Sequence, residues 1–201
     1  MKETLVIVDR QKDFNDPLGS LYVLGAEDTE LNTLKYIERN SDRIKEVIFT
    51  IDWHLSSDKS FERNGGIWPD HCLQFSEGAG ISDVLYKACI EHNIPIQFFR
   101  KGEVSTREEY GAFENMSRYG DNLVLLNNCI MDSCVQVTTN NVVVCGLAGD
   151  YCVKETIKNL LKHSNTTGLF NVSVFKDGIS SIDNGETLER FINENNLNVV
   201  S

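Results

Sequence analysis

Five polar residue types stand where apolar runs end, and their chemistry is complementary. The run 5–8 leads into Asp9, 47–51 into Asp52-Trp53-His54, 94–99 into Arg100-Lys101, and 142–147 into Ala148-Gly149-Asp150-Tyr151-Cys152. One charge at a strand end is ordinarily a loop charge in water. An acid, a metal-capable pair, a lysine and a thiol on one rim make a candidate site.

Cys152 is the candidate nucleophile. Asp150 can cap a helix in which Val153, Ile157, Leu160 and Leu161 form the buried stripe. Cys152 then falls in the first turn, where free N–H groups and the helix dipole favour a thiolate and could hold an oxyanion. No histidine lies beside it, so Asp9 and Lys101 are the candidates for its partner. Cys72, Cys89, Cys129, Cys134 and Cys145 are expected to be small buried core residues. Asp52 and His54, two apart on extended chain, point the same way, so one cation could bind both, with His71 further on. For His92 and His163 a place near a helix C-terminus suffices.

These residues need a scaffold that gathers strand ends. The runs 5–8, 47–51, 94–99, 142–147 and 172–175 are apolar on both parities, as strands covered on two faces are. Segments of helical period lie near 29–40, 79–92, 106–118, 150–163 and 184–195. The alternation predicts an α/β domain over 1–201: a three-layer αβα Rossmann-like arrangement around a mostly parallel sheet of about six strands. Ligands of such sheets bind beyond the carboxyl ends of the strands, where the polar residues stand. The stretch 121–140 breaks the alternation; an extra strand pair, or one strand and a buried loop, would each fit.

Composition limits the partners. The chain has 201 residues, 30 acidic and 19 basic, for a net charge of −11. An acidic chain is a poor match for nucleic acid or for an anionic membrane surface. No apolar run nears the ~20 residues of a spanning helix. Six cysteines without a Cys-x-x-Cys pair read as reduced thiols of a cytoplasmic protein. Their spacing also argues against a thiol redox protein. The sequence leaves room for a homo-oligomer.

The chain resembles the nicotinamidases (pyrazinamidases), metal-containing members of the isochorismatase-like cysteine hydrolases. The matching blocks are Asp9-Arg10-Gln11-Lys12-Asp13-Phe14, Asp52-Trp53-His54, Trp68-Pro69-Asp70-His71-Cys72, Lys101-Gly102, Tyr110-Gly111-Ala112-Phe113 and Gly146-Leu147-Ala148-Gly149-Asp150-Tyr151-Cys152-Val153. They occur in family order and span nearly the whole chain. The resemblance implies a triad of Asp9, Lys101 and Cys152. It implies one divalent metal ion on Asp52, His54 and His71, with zinc first and iron or manganese as alternatives. It further implies a cis peptide before Ala148, an oxyanion hole from the Ala148 and Cys152 amides, and a ring pocket lined by Phe14, Trp68 and Tyr110. The activity it implies is hydrolysis of nicotinamide or pyrazinamide through a Cys thioester, within NAD salvage. A related cysteine hydrolase acting on another small amide, or a catalytically silent binding protein, is the alternative. The chain also departs from the pattern. Arg10 and Lys12 are unusual fillers, Gly149 replaces a common Thr, and Asp58 replaces a common His. A fourth metal ligand is thus left to Asp58, Ser60, Glu62 or water, and the Gly149 turn is expected to be looser.

Overall fold

The structure, a computed structural model, describes residues 2–119, 122–126 and 134–201. Six parallel strands form the central sheet: β1 (Glu3–Val8), β2 (Ile44–Asp52), β3 (Ile96–Lys101), β7 (Asn141–Gly146), β8 (Asn171–Ile179) and β9 (Asn198–Val200). Their order is β3-β2-β1-β7-β8-β9. From β1 the chain builds outward through β2 and β3, then crosses back to place β7 on the other side of β1. The crevice at that reversal, beyond the ends of β1 and β7, is where open α/β sheets take ligands.

Strand parity separates two cores. Leu5 and Ile7 of β1 face α2 (Ala26–Asn40) and α3 (Asp83–Glu91), packing with Tyr36, Ile37, Leu85 and Cys89. Val6 and Val8 face the other way, to a cluster holding Val153 with Ile157 and Leu160 of α4 (Lys154–Thr167) and Leu188 and Ile192 of α5 (Glu186–Glu194). The alternation of β7 is the same, Val143 and Cys145 to one core and Val142 and Val144 to the other. With both faces covered, a strand needs apolar residues at every position, which is why these runs show no polar alternation. The helix α1 (Lys12–Asn15) is a single turn after β1.

The helix expected near 106–118 is absent. That stretch is loop followed by strand β4 (Asn115–Tyr119). Tertiary contacts override the periodicity. The Ala112 amide donates to Thr156 Oγ1 (3.1 Å), its carbonyl accepts from Asn159 Nδ2 (2.8 Å), and Phe113 takes a left-handed φ of 63°. Strand β4 pairs antiparallel with β5 (Asn122–Leu126), which pairs with β6 (Cys134–Val137), so of the two arrangements open for 121–140 the strand pair is present. In β6 burial alternates, with Val135 and Val137 inward and Cys134 exposed, so Cys134 is not the core residue expected of it. Cys72, Cys89 and Cys145 are buried as expected, and Cys129 lies outside the described residues. His163 does not cap α4 either; it is buried and bonds the Phe113 carbonyl at 2.6 Å.

A buried carboxylate attaches the small sheet to the large one. Glu46 Oε1 accepts from Thr4 Oγ1 (2.8 Å) and from the Thr138 amide (3.0 Å) and hydroxyl (3.1 Å), while Oε2 accepts from Gln97 Nε2 (2.9 Å). The Gln97 amide group also imitates a strand, donating to Gln136 O (2.8 Å) and accepting from Gln136 N (2.9 Å). No described helix is long and apolar enough to cross a membrane. Glu46→Ala strands several donors, each unmet one costing about 1–3 kcal/mol. The urea midpoint should fall by an amount corresponding to about 2 kcal/mol or more.

Candidate active site and metal centre

Three strand ends meet around one ammonium. Lys101, last residue of β3, is fully buried, with Nζ 2.8 Å from Asp9 Oδ2, 3.0 Å from Asp52 Oδ1 and 3.6 Å from Cys152 Sγ. Strand register brings them level: Asp52 pairs with Lys101, and Ile7, two before Asp9, pairs with Phe49, one before Thr50. Asp9 follows β1 with a left-handed φ of 46°. Its Oδ1 accepts a 2.6 Å bond from Thr50 Oγ1, and its amide donates back to that hydroxyl at 3.1 Å. Gln11 ties the ends of β1 and β2 together, donating to Asp52 O (2.8 Å) and accepting from Asp52 N (2.7 Å).

Cys152 lies in a π-helical turn, Gly149–Val153, ahead of α4, rather than in a first α-helical turn. Asp150 does not cap the helix. Its carboxylate accepts the amides of Ile182 (3.0 Å) and Asp183 (3.1 Å), anchoring the following loop. The Leu147–Ala148 peptide is cis. At Gly149, where a looser turn is expected, an added Cβ would lie 2.1 Å from Ser181 Oγ. The absence of a side chain is what admits Ser181.

Charge in this interior is tightly constrained. Burial raises the Asp9 carboxyl above its ordinary range against the pull of Lys101, and the charge on Asp52 raises it further. Burial would also raise Asp52, but His54 and Lys101 hold it well below the usual carboxylate range. Lys101 stays protonated: the two carboxylates outweigh its desolvation and move it well above the ordinary lysine value. Cys152 goes up, not down. Burial, helped by Asp9 and Asp52, outweighs Lys101, so the resting group is a thiol and not the thiolate expected from a helix N-terminus. Carboxylate oxygens of Asp9 and Asp52 and the sulfur of Cys152 lie within 4.8 Å of one another, so a neighbouring acid can take the thiol proton.

Asp52 has a second face. Its Oδ2 lies 3.0 Å from His54 Nε2 and 3.7 Å from His71 Nε2, all three residues buried. The opposite ring nitrogens are engaged, His54 Nδ1 with Asp58 Oδ2 (2.9 Å) and His71 Nδ1 with the Pro69 carbonyl (2.8 Å). When Nδ1 carries the proton, both Nε2 lone pairs aim at a carboxylate, an arrangement that calls for a cation between them. Burial lowers the His54 value, but Asp52 and Asp58 overcome it and push it up to about 10. Two imidazoles and one carboxylate, each oriented from behind, fit a divalent ion of the zinc type. Asp58 therefore supports His54 from outside the donor set, and Glu62 is exposed in a short 3₁₀ turn. The Ser60 hydroxyl is buried without a partner.

The adjoining pocket is lined by Phe14, Leu21, Val23, Asp52, Trp68, His71, Ala148, Tyr151, Cys152 and Ile182. Phe14 and Trp68 stand where expected. Tyr110 stands behind the wall, its hydroxyl accepting from Trp68 Nε1 at 3.0 Å. Tyr151, Thr50 and Gln11 were not singled out from sequence; for Thr50 the signal was its parity with Asp52 on one strand. A larger cavity, between α2 and the start of α5, is lined by Thr29, Asn32, Ser180 and Glu186 and lies apart from the triad.

No family model matches the chain. It is 29% identical over 194 residues to the nicotinamidase of Escherichia coli (strain K12), a match covering 89% of this chain and 83% of that protein. Its fold matches PnC1 from L. infantum, solved in complex with nicotinate, with a TM-score of 0.74 and 26% identity over 100% of this chain and 92% of that one. It also matches the pyrazinamidase of Pyrococcus horikoshii, solved in complex with zinc, with a TM-score of 0.72 and 24% identity over 100% and 99% of the two chains. In sequence and fold the chain is thus similar to nicotinamidases and pyrazinamidases, as its motifs imply.

Gly102 is where the chain must pass closest to the histidine cluster. Its φ is +72°, and a Cβ would lie 2.7 Å from both Asp52 Oδ1 and His54 Cε1. Gly102→Ala should weaken zinc binding by about tenfold or more, a loss of ~1.4 kcal/mol or more, as read by calorimetric titration.

Proposed function

We propose that this chain, an amidohydrolase of the nicotinamidase type by sequence and fold, hydrolyses nicotinamide to nicotinate and ammonia through a thioester on Cys152. One observation carries the reading: Asp9, Lys101 and Cys152 meet as a buried cluster that shares Asp52 with a candidate cation site of two histidines. A divalent ion held by Asp52, His54 and His71, with zinc the first choice, would supply an open coordination position that orients a pyridine nitrogen.

The protein's own residues then act on the carboxamide. Phe14 and Trp68 flank the ring, with Tyr110 steadying the Trp68 indole. The Cys152 thiol gives its proton to Asp9 as sulfur attacks the carboxamide carbon. The raised Asp9 pKa suits it to accept that proton and to return it. Lys101 keeps its charge throughout and stabilises the deprotonated thiol and carboxylate in turn. The amides of Gly149, Tyr151 and Val153 are committed to the carbonyls of Ser180, Ala148 and Ala148. We assign the oxyanion to the amides of Ala148 and Cys152, each such donor being worth about 2.7–4 kcal/mol. Collapse of the adduct expels ammonia with the proton from Asp9. Asp9 next deprotonates water, which attacks the thioester and releases the acid, and the thiol is reprotonated. The free cysteines and acidic surface suit a cytoplasmic enzyme feeding the acid into pyridine nucleotide salvage.

The test is ammonia release from nicotinamide, pyrazinamide and benzamide. The two amides with ring nitrogen should turn over, whereas benzamide, with nothing to place on the ion, should react at least about tenfold less efficiently. No release from any of them would sink the reading. Cys152→Ala should abolish turnover, by at least about a thousandfold, yet still bind nicotinamide. Chelation of the ion should weaken nicotinamide binding, and His54→Ala or His71→Ala should lower bound metal; unchanged metal content in both would refute the ligand set.

A further inference from the structure

Arg10 follows the proposed base and turns away from it into the protein. It is fully buried, and its guanidinium makes four bonds to neutral acceptors. Nη1 donates to Asn15 Oδ1 (2.8 Å) and Ala26 O (2.7 Å), and Nη2 to Thr29 Oγ1 (2.6 Å) and Gly178 O (2.9 Å). Its Nε has no partner. No described carboxylate pairs with it directly; Glu30 is reached only through Asn15 Nδ2 (3.0 Å). A charge buried at this cost is expected to hold something in place.

What it holds is the pocket wall. Asn15, Ala26 and Thr29 bracket the segment that carries Leu21 and Val23, and Phe14 adjoins it. Val23, with Leu21 and Tyr22, packs against Phe14 and Ala26, whereas Leu18 and Leu24 of the same segment are 94% and 77% exposed, so the apolar contacts hold it at its centre and not at its ends. The fourth acceptor, Gly178, lies on β8, whose chain runs on to Ile182, another lining residue of the pocket. Just beyond it, the Ser180 carbonyl accepts the Gly149 amide at 2.8 Å, at the start of the turn bearing Cys152. One side chain therefore joins the segment that leads to Leu21 and Val23 to the one that leads to Ile182.

We infer that Arg10 is a positioning residue that sets the width of the ring pocket, an inference resting on the amidase reading above. Arg10→Met keeps the length but removes all the donors; Arg10→Lys restores part of them. In Arg10→Met the KM for nicotinamide should rise about fivefold or more, with kcat changing less than about twofold, because ring binding and not the triad is disturbed. Arg10→Lys should fall between that variant and wild type. Amide hydrogen exchange should quicken at 15–29 and 178–182 but not in β2. If Arg10→Met does not fold, Asn15→Ala and Thr29→Val, which each remove one acceptor, should show the same KM-led pattern at smaller size. A folded variant with KM and exchange unchanged would overturn the inference, as would loss of kcat at constant KM, which would mean that Arg10 acts through Asp9. Wild-type protein that releases no ammonia overturns the amidase reading instead.

Discussion

The site is built around a single buried ammonium between two carboxylates. Lys101 is fully buried, so its charge must be met by Asp9 and Asp52, and removing one partner from a buried ionic cluster typically costs about 3–5 kcal/mol. That requirement fixes how the ends of β1, β2 and β3 are set against one another. Thr50 and Gln11 serve the same end, the first by holding Asp9 and the second by clamping Asp9's strand to that of Asp52. Two acids and one base also leave the cluster with excess negative charge. It is relieved on the far oxygen of Asp52, where two imidazoles face inward. Triad and cation site are thereby parts of one charge system sharing one carboxylate.

This coupling explains why the thiol need not be ionised at rest. An exposed cysteine at a helix N-terminus is activated by lowering its pKa. Here burial keeps Cys152 protonated and, by the same effect, raises Asp9 toward a value at which it can carry the proton. The proposed nucleophile and base are thus matched by a shared environment, which suits a proton transfer that accompanies attack. The pocket wall is a separate device. Its aromatic members are fixed by ring contacts and the Trp68–Tyr110 bond, its loop members by Arg10. On the proposed reading, chemistry and ring recognition depend on different buried polar groups on consecutive residues, Asp9 and Arg10.

Legibility differed along the chain. Runs buried on both faces were readable because burial demands apolar residues at each position, and 5–8 and 142–147 lie within a residue or two of β1 and β7. The stretch near 106–118 was misread because helical periodicity is a local signal, while Thr156 and Asn159 claim the Ala112 backbone from a distant helix. Cys134 was misread because a short antiparallel strand exposes every second residue. Motif position does not say how Tyr110 and Trp68 meet: the two rings are edge-on, with the Tyr110 hydroxyl on the Trp68 indole and Trp68 in the pocket lining.

By itself the sequence determined which groups stand at strand ends, because hydrophobic period and chain order are written in residue types. It therefore marked Asp9, Asp52, His54, Lys101 and Cys152, while His71 as a ligand rested on the family resemblance. Tertiary structure alone decided the rest: that Asp52 divides its oxygens between lysine and histidines, that Asp58 bonds the far side of the His54 ring, that burial raises the Cys152 thiol, and that Arg10 joins two segments leading to the pocket. Each depends on distance and desolvation among residues far apart in the chain. Those quantities come into being only when the strands are side by side and water has been driven out.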